Sequence, residues 1–414
     1  MYRHIPLDTG FSTQDKVILH ADCNNFFASA ESIAHPEYKL VPMAVCGDPK
    51  SRHGIILAKN QLAKAYGIQT AETVYSALKK CPKLLLIPST MGLYKEISQR
   101  INAIYESYTD QVERFSIDES FLDVTGSRHL FGTGQEIADT LRRRVREEIG
   151  ITISVGVSFN KTFAKLGSDY KKPDATTLIS PANYKKILWP LPIEDMLYVG
   201  KAGAMRLKDH GIKTIGDLAQ AEEGVLLSLL GKSGPQLKVA AMGLDDSPVS
   251  HAGEYTEPKS VGNGMTFPRD LHTREEILAG LLVLCDQVGA RLRQQRLYAS
   301  TLQVQIKDPA LKVISRQKPL PAPTSSTRIL RDTAMEIVEG AVPAGAPIRL
   351  LTVTATQLSH EGEQQLSLFD DGRQDEKLQK LDSAMDAIRT RFGKDALQYA
   401  RILRKEEKEK ETDA

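Results

Sequence analysis

At 414 residues the chain has room for about two to four domains of ordinary size, so a single small fold is excluded. Hydrophobic residues make up 41% and charged residues 26% of the sequence, values that exclude wholesale disorder and a fibrous repeat. The 54 Lys and Arg residues nearly balance the 52 Asp and Glu residues, so any surface for a polyanion must be local.

Membrane spans and cysteine sites are also disfavoured. No apolar run approaches the ~20 residues of a membrane span, and residues 1–14 contain no continuous apolar segment. The four cysteines are scattered, without a CxxC pair or a histidine at zinc-ligand spacing. We therefore expect a cytoplasmic protein without disulfides or structural zinc.

The first predicted elements are a buried strand and a small insertion. Residues 17–22 (VILHAD) form an apolar run that stops at Asp22, as a buried strand does when it ends at an exposed sheet edge. Residues 36–88 contain two helix-like stretches, 59–66 and 73–80, each followed by a glycine or proline breaker.

An α+β layer follows the insertion. Residues 112–125 alternate as two short strands, and Asp118 and Glu119 lie at the break between them. The spacing of apolar residues predicts strands and helices in alternation after this point, which indicates an α+β layer. The predicted elements are the helix 134–149, the strand 151–157, the helix 160–170 and the strand 177–180.

The second half is predicted as a helical segment, a linker and a further α+β unit. Short helices alternate with glycines over 189–248, and a linker follows around 250–259. The next unit holds 13 basic and 9 acidic residues between Glu257 and Leu358, so it is mildly basic. Most of the tail that follows is expected to be mobile. The elements predicted in this half are the strands 300–306 and 349–356 and the helices 274–295, 329–339 and 375–392.

Three carboxylates at strand ends, Asp22, Asp118 and Glu119, are candidate metal ligands. Magnesium prefers hard oxygen ligands, and two ions about 4 Å apart can activate a hydroxyl while neutralising a triphosphate leaving group. Acidic residues are also common turn formers, so one such residue alone says little about function. The residues around these three carry the stronger indication.

Two segments, HADCNNFFASAE at 20–31 and FSIDESFLDVT at 115–125, resemble those of the Y-family DNA polymerases of the bacterial DNA polymerase IV type. The resemblance covers the chain from about residue 17 to residue 358. It implies an α+β multidomain, right-hand polymerase with a ferredoxin-like palm, small fingers, a helical thumb with a helix-hairpin-helix, and an α+β little finger. The implied boundaries are 1–25 and 93–180 for the palm, 26–92 for the fingers, 181–249 for the thumb, 250–257 for a linker, 258–358 for the little finger and 359–414 for the tail.

The resemblance also assigns site residues. Asp22, Asp118 and Glu119 would bind two magnesium ions together with the backbone carbonyl of Cys23. Asn24 stands where many members have a second Asp, a position that the family does not require for metal. Phe27 matches the steric gate, an aromatic ring that leaves no room for a ribose 2′-hydroxyl.

Other residues match the family's nucleotide-binding positions. Phe26 would support the sugar from the side, and Lys172 matches a lysine that holds the triphosphate from the palm. In the fingers, Gln61 and Lys64 replace the usual Tyr and Arg, so the triphosphate contacts there are expected to differ from those of the family, since Lys lacks the fork of Arg.

Two further segments suggest partners. Residues 196–218 resemble a helix-hairpin-helix, whose turn directs backbone N–H groups at a DNA phosphate, although Tyr198 occupies the usual first glycine. A plain helical hairpin is the alternative. In the tail, Gln365, Leu366, Leu368 and Phe369 form an apolar island that resembles the QLxLF motif for the bacterial sliding clamp.

These features predict an error-prone, template-directed DNA polymerase for translesion synthesis in DNA repair and damage tolerance, monomeric and without a proofreading exonuclease. Its partners would be primer-template DNA, dNTP and the clamp. One alternative is another palm-type enzyme, such as a nucleotidyl cyclase, which has no use for a DNA-binding hairpin or a basic little finger. A second alternative is a catalytically silent DNA-binding accessory factor, which has no use for three metal carboxylates.

Overall fold

The computed structural model describes residues 11, 16–49, 54–254, 257–360, 373–393, 396, 397 and 399. The chain divides into two compact units, Met1–Tyr255 and Thr256–Ala414. Within the described residues, no helix combines the length and apolar character that a membrane span requires.

The strands of the first unit are β1 (Ile18–Cys23), β2 (Met43–Cys46), β3 (Ile56–Lys59), β4 (Leu85–Pro88), β5 (Val112–Arg114), β6 (Glu119–Asp123), β7 (Ile153–Ser158) and β8 (Thr176–Leu178). Those of the second unit are β9 (Ser260–Leu271), β10 (Leu297–Lys307), β11 (Val313–Thr324) and β12 (Ile348–His360).

The helices of the first unit are α1 (Phe26–Ala34), α2 (Gln61–Ala65), α3 (Val74–Lys80), α4 (Met91–Glu106), α5 (Arg128–Phe131), α6 (Gly134–Ile149), α7 (Lys161–Tyr170), α8 (Tyr184–Leu188), α9 (Lys201–Asp209), α10 (Ile215–Gln220), α11 (Glu223–Leu230) and α12 (Ser233–Ala241). Those of the second unit are α13 (Arg274–Gln294), α14 (Thr327–Ala341) and α15 (Arg373–Phe392).

A five-stranded sheet in the order β5-β6-β1-β7-β8 forms the centre of the first unit. Side chains of β1 alternate between its faces: Leu19 and Cys23 join the core that α4 and α6 cover, whereas Ile18 packs against Ala164 of α7. Gly156 of β7 allows α7 to approach closely, because a Cβ there would lie 1.9 Å from the Ala164 carbonyl oxygen. The central strand β1 therefore presents alternate residues to α7.

Smaller layers complete the first unit. A three-stranded sheet in the order β3-β2-β4 carries α2 and α3 in the range expected for the fingers. The helix predicted over 59–66 begins only at Gln61, because Lys59 ends β3 and the Asn60 side chain caps the helix by accepting a hydrogen bond from the Ala63 N–H. Helices α8 to α12 pack around a separate apolar core.

The second unit is a four-stranded antiparallel sheet in the order β11-β10-β12-β9, packed against α13 and α14. Helix α15 packs on α13 through charged groups that are mostly buried. Arg293 donates to Asp386 at 2.6 Å, and Arg389 donates to Asp286 at 2.7 Å. These ion pairs hold α15, which covers the helix predicted over 375–392, against the rest of the second unit, and most of the remaining tail lies outside the described residues.

Candidate active site

Strand ends of the central sheet bring the predicted carboxylates together. In the register of β1 and β6, Asp22 lies opposite Glu119, and the Cys23 N–H donates to the Asp118 carbonyl at 3.1 Å. Asp118 lies in the short loop before β6 and accepts a hydrogen bond from Ser116 Oγ at 2.7 Å. Sequence spacing of 96 residues between the two motifs thus becomes adjacency at one end of the sheet.

Two lysines stand among these carboxylates. Lys165 Nζ lies 3.2 Å from both Asp22 Oδ2 and Glu119 Oε2, and Lys172 Nζ lies 2.7 Å from Asp22 Oδ2. Both ammoniums also pair with Asp169. Burial opposes the charged form of each lysine, but the neighbouring carboxylates, Asp22 and Asp169 for both lysines and Glu119 for Lys165, together outweigh it and raise the pKa of both. Both lysines are therefore cations held against the acidic strand ends.

Lys165 is missing from the residues that the sequence predicts for the site. A signal for it exists, because Lys165, Ser168, Asp169 and Lys172 form a polar stripe at helical spacing along α7 and its C-terminal end. Placing that stripe against β1 requires knowing that α7 packs on this face of the sheet, which is a tertiary fact.

His20 is a second residue that sequence reasoning missed. Its ring is fully buried, with Nδ1 2.8 Å from Ser168 Oγ and Nε2 3.3 Å from Glu119 Oε2. Burial lowers the pKa of His20, which favours the neutral imidazole. The imidazole therefore borders the Glu119 carboxylate from the side of β1.

The pKa values of Asp118 and Glu119 shift in opposite directions. Burial raises the pKa of Asp118, and the negative charges of Asp22 and Glu119 add to this effect. For Glu119, burial acts in the same direction, but interaction with His20 and Lys165 outweighs it and lowers the pKa to about 2. Glu119 is therefore ionised at neutral pH.

The donor set fits a divalent cation. Asp22, Asp118 and Glu119 supply carboxylate oxygens at one end of the sheet, and the buried Glu119 Oε2 has hydrogen-bond geometry to neither His20 nor Lys165. Among the residues that the structure describes, no three His, Cys, Asp or Glu side chains already surround a common point as ligands. Lys165 and Lys172 supply the positive charge at this position instead.

The aromatic pair predicted beside the site lies at the start of α1. Phe26 is buried, whereas Phe27 is partly exposed and stacks on Tyr94 of α4, with ring centroids 4.3 Å apart. Tyr94 donates to Glu31 at 2.5 Å and accepts from the Thr90 N–H at 3.0 Å. Glu31 lies four residues after Phe27 on α1, but no sequence pattern links Tyr94 to either residue, because Tyr94 reaches them only when α1 and α4 pack together.

The predicted fingers residues lie on a different layer. Gln61 and Lys64 are exposed on α2, and within the described ranges neither forms a hydrogen bond with Asp22, Asp118 or Glu119. Lys59 on β3 is a nearby cation that the sequence did not single out. Its partial burial lowers the pKa of Lys59, and the Lys64 charge adds to this effect.

The predicted helix-hairpin-helix is only partly helical. A three-residue 3-10 helix, Ile193–Asp195, precedes the turn at residues 196–200. Helices α9 and α10 follow this turn. Tyr198 has a φ of +68° and is 78% exposed, so a tyrosine adopts at this turn the left-handed backbone that glycine favours. The clamp motif residues Gln365, Leu366, Leu368 and Phe369 lie outside the described residues.

Comparison with known proteins matches two parts of the chain to one family. Residues 21–169 match the impB/mucB/samB family, and residues 258–368 match the C-terminal domain of that family. The first match contains Asp22, Asp118 and Glu119, and the second spans the sheet of the second unit and ends at Leu368, one residue before the last residue of the predicted clamp motif.

Relatives named DNA polymerase IV align over nearly the whole chain. The chain is 45% identical to DNA polymerase IV of Acetivibrio thermocellus, over 91% of this chain and 95% of that protein. It is 37% identical to DNA polymerase IV 2 of Bacillus subtilis, over 94% and 95%, and 34% identical to DNA polymerase IV of Clostridium kluyveri, over 94% and 99%.

A solved structure shares the fold. It is described as a Y-family DNA polymerase chimera and matches with a TM-score of 0.75 and 24% identity, covering 83% of this chain and all of that one.

Proposed function

The chain belongs to the impB/mucB/samB family, the Y-family DNA polymerases of the DNA polymerase IV type, and from this premise we propose that it extends primers on a DNA template past damaged bases. The observation that carries this proposal is the convergence of Asp22, Asp118 and Glu119 at one end of the palm sheet. A cyclase or a silent accessory factor is not favoured, because the relatives named DNA polymerase IV align over both units.

We assign the metal-binding role to Asp22, Asp118, Glu119 and the Cys23 carbonyl, which would hold two magnesium ions. When bound, these ions would neutralise the triphosphate and favour attack by the primer 3′-hydroxyl. The ionised Glu119 and the hard oxygen donors support this assignment. Lys165, whose ammonium contacts both Asp22 and Glu119, would offset the repulsion between these carboxylates before an ion binds.

Substrate positioning falls to residues around this centre. Lys172 would hold the triphosphate from the palm, and Gln61 and Lys64 would approach it from the fingers. Phe27 would exclude a 2′-hydroxyl by occupying its space, and Phe26 would support the sugar. The stacking of Phe27 on Tyr94 supports this role, because it holds the ring plane in place.

We further propose that the protein acts as a cytoplasmic monomer and that it binds the bacterial sliding clamp through Gln365, Leu366, Leu368 and Phe369. A short apolar cluster within a polar segment is typical of a motif whose apolar side chains bind a partner protein. The palm, fingers, thumb, linker, little finger and tail are proposed with the boundaries given above. The helix-hairpin-helix at 196–218 would bind DNA phosphates through its turn.

Primer extension tests the function. The parent should add each dNTP to a primed template, intact or lesion-bearing, in a magnesium-dependent way. Asp118→Asn and Glu119→Gln should each lower incorporation by about 10²- to 10³-fold, because each removes a charged ligand at the reacting centre. Binding of primer-template DNA, measured by fluorescence anisotropy, should change little.

Asp123→Asn is the matched control, since Asp123 lies at the other end of the same strand and its side chain can still accept from the Thr125 N–H. Near-parental extension by Asp118→Asn and Glu119→Gln would contradict the catalytic assignment. Loss of DNA affinity as large as the loss of incorporation would move these residues from chemistry to binding.

A further inference from the structure

A buried carboxamide joins the first palm strand to the loop that carries Lys172. Asn24, only 6% exposed, follows β1 directly, and its side-chain oxygen accepts from the Asp174 N–H at 2.9 Å and from Thr152 Oγ1 at 3.1 Å. Its side-chain nitrogen donates to Ser154 Oγ at 2.9 Å. Both ends of the carboxamide are therefore fixed.

These contacts connect two parts of the candidate active site. Ser154 lies opposite Asp22 in the register of β1 and β7. Lys172 stands two residues before Asp174, and its ammonium lies 2.7 Å from Asp22 Oδ2. The Asn24 side chain therefore links Ser154, the residue opposite Asp22, to the backbone of the loop that carries Lys172.

The Asp174 carboxylate is held separately, from helix α6. Arg142 Nη2 lies 2.9 Å from Asp174 Oδ1, and Arg146 pairs with Oδ2. Asn24 contacts the backbone N–H of the same residue. Removing the Asn24 carboxamide therefore leaves the arginine pairs intact, so its effect on the loop can be measured apart from theirs.

We propose that Asn24 is a positioning residue for the incoming nucleotide: its side-chain oxygen fixes the 171–175 loop so that the Lys172 ammonium stands beside Asp22. A lysine side chain is long and flexible, so the average position of its ammonium group depends on how firmly its backbone is held. This inference rests on the proposed function, in which Lys172 holds the triphosphate. Asn24 acts through Lys172 and is not assigned a contact with the substrate.

Three substitutions at Asn24 separate the hydrogen bond from the space that it fills. Asn24→Leu keeps a similar volume but removes every acceptor, and Asn24→Ala removes the carboxamide without adding bulk. Asn24→Asp keeps the acceptors for the Asp174 N–H and the Thr152 hydroxyl, and the Ser154 hydroxyl can donate to its second oxygen. Lys172→Ala, alone and combined with Asn24→Leu, shows whether the effect passes through Lys172.

Two measurements are made on the full chain. Single-nucleotide incorporation gives kcat and the KM for dNTP, and hydrogen–deuterium exchange of peptides covering 171–176, without nucleotide, gives the order of the loop. We expect Asn24→Leu and Asn24→Ala to raise the dNTP KM about five- to tenfold with kcat nearly unchanged, and to speed exchange in this segment. Asn24→Asp should resemble the parent in both measurements, and Asn24→Leu should add nothing further to Lys172→Ala.

Urea unfolding of each variant is measured as a control for folding. The inference would be overturned by a fall in kcat without a change in KM, by an Asp variant as impaired as the Leu variant, by a full additional KM effect in the Lys172→Ala background, or by loss of cooperative unfolding in both the Leu and Ala variants. A parental dNTP KM in Lys172→Ala would refute the proposed role of Lys172 and the inference with it. Absence of extension by the parent would instead refute the polymerase function itself.

Discussion

The ring of Tyr94 lies flat against the ring of Phe27, with centroids 4.3 Å apart and planes 13° apart. Tyr94 is fully buried and held through its hydroxyl by Glu31 and the Thr90 N–H. Burial raises the pKa of Tyr94, so the hydroxyl stays protonated and continues to donate to Glu31. Phe27 therefore rests on a support that is itself fixed at two points.

Phe27→Val should weaken the exclusion of ribonucleotides. A smaller side chain opens space for the 2′-hydroxyl, so the ratio of kcat/KM for dNTP to that for rNTP should fall by about 10- to 200-fold. Single-nucleotide incorporation with matched dNTP and rNTP measures this ratio. Phe131→Val, at a partly exposed ring of α5, is the control and should leave the ratio unchanged. An unchanged ratio in Phe27→Val would mean that the gate lies elsewhere.

Lys165→Met should make stability depend on magnesium. The substitution leaves Asp22 and Glu119 without the ammonium between them, so the metal-free protein should lose about 1–3 kcal/mol of unfolding free energy. Magnesium should restore more stability to the variant than it adds to the parent, because a bound cation replaces the missing charge. Urea unfolding with EDTA or with increasing magnesium tests this expectation.

Lys161→Met is the matched control on the same helix, because its ammonium pairs with Glu113 at 2.7 Å instead. It should lose stability without gaining a stronger response to magnesium. An equal magnesium response in parent, Lys165→Met and Lys161→Met would rule out Lys165 as a stand-in for the cation.

Leu368→Ala combined with Phe369→Ala should abolish stimulation by the bacterial clamp and leave clamp-free extension unchanged. Each buried Leu or Phe side chain is worth roughly 1.5–3 kcal/mol, so clamp affinity should fall by about two to four orders of magnitude. The affinity of each variant for the clamp measures the loss of docking. The length of primer extension on primed circular DNA, with and without loaded clamp, measures the loss of stimulation. Glu363→Ala with Gln364→Ala controls for changes in the same segment. Stimulation of the Leu368→Ala, Phe369→Ala variant equal to that of the parent would remove the clamp from the list of partners.

Asp174→Asn should destabilise the protein at neutral pH and lose this effect in acid. Partial burial opposes ionisation of Asp174, but hydrogen bonds from Arg146 and Arg142 outweigh it and lower the pKa. Because the folded pKa lies below the unfolded value of about 3.9, the ionised carboxylate stabilises the fold above that pH and stops doing so as the pH falls through the folded value.

Unfolding midpoints from pH 8 to pH 3 give the comparison. The free energy of unfolding of Asp174→Asn should be lower than that of the parent by about 1–2 kcal/mol at neutral pH. This difference should stay constant down to about pH 5 and then shrink. Asp110→Asn, at a carboxylate whose side chain is 86% exposed, should differ little from the parent throughout. A difference that persisted to pH 3 would show that the charge of Asp174 is not what stabilises this loop.

Much of the site could be predicted from short motifs. Asp22, Phe27, Asp118 and Glu119 lie in two segments, 20–31 and 115–125, whose residues and order along the chain indicate the family. Lys165 and His20 could not be assigned, because their role depends on which face of β1 packs against α7. The same limit applies to Tyr94, which reaches Phe27 from another helix.

Strands β9 and β11 of the second unit could not be predicted for a different reason. β11 contains Pro319, Pro321 and Pro323, and such a segment looks like a loop. It is nevertheless a strand because it lies at the edge of its sheet, where the missing N–H groups disturb no inner ladder. β9 contains Gly262 and Gly264, which weaken the alternating pattern that marks a half-buried strand.

The attachment of α15 changes how the end of this chain should be shortened in the laboratory. A stop codon after residue 360 would delete Asp382, Asp386 and Arg389 together with the apolar island. Arg293 and Asp286, each largely buried, would then lose their oppositely charged partners, and the Thr327 N–H would lose the Asp382 carboxylate that accepts from it at 2.9 Å. A shortened protein that no longer responded to a clamp would therefore report damage to its own second unit as well as a missing docking segment, whereas point substitutions within 365–369 leave that unit whole.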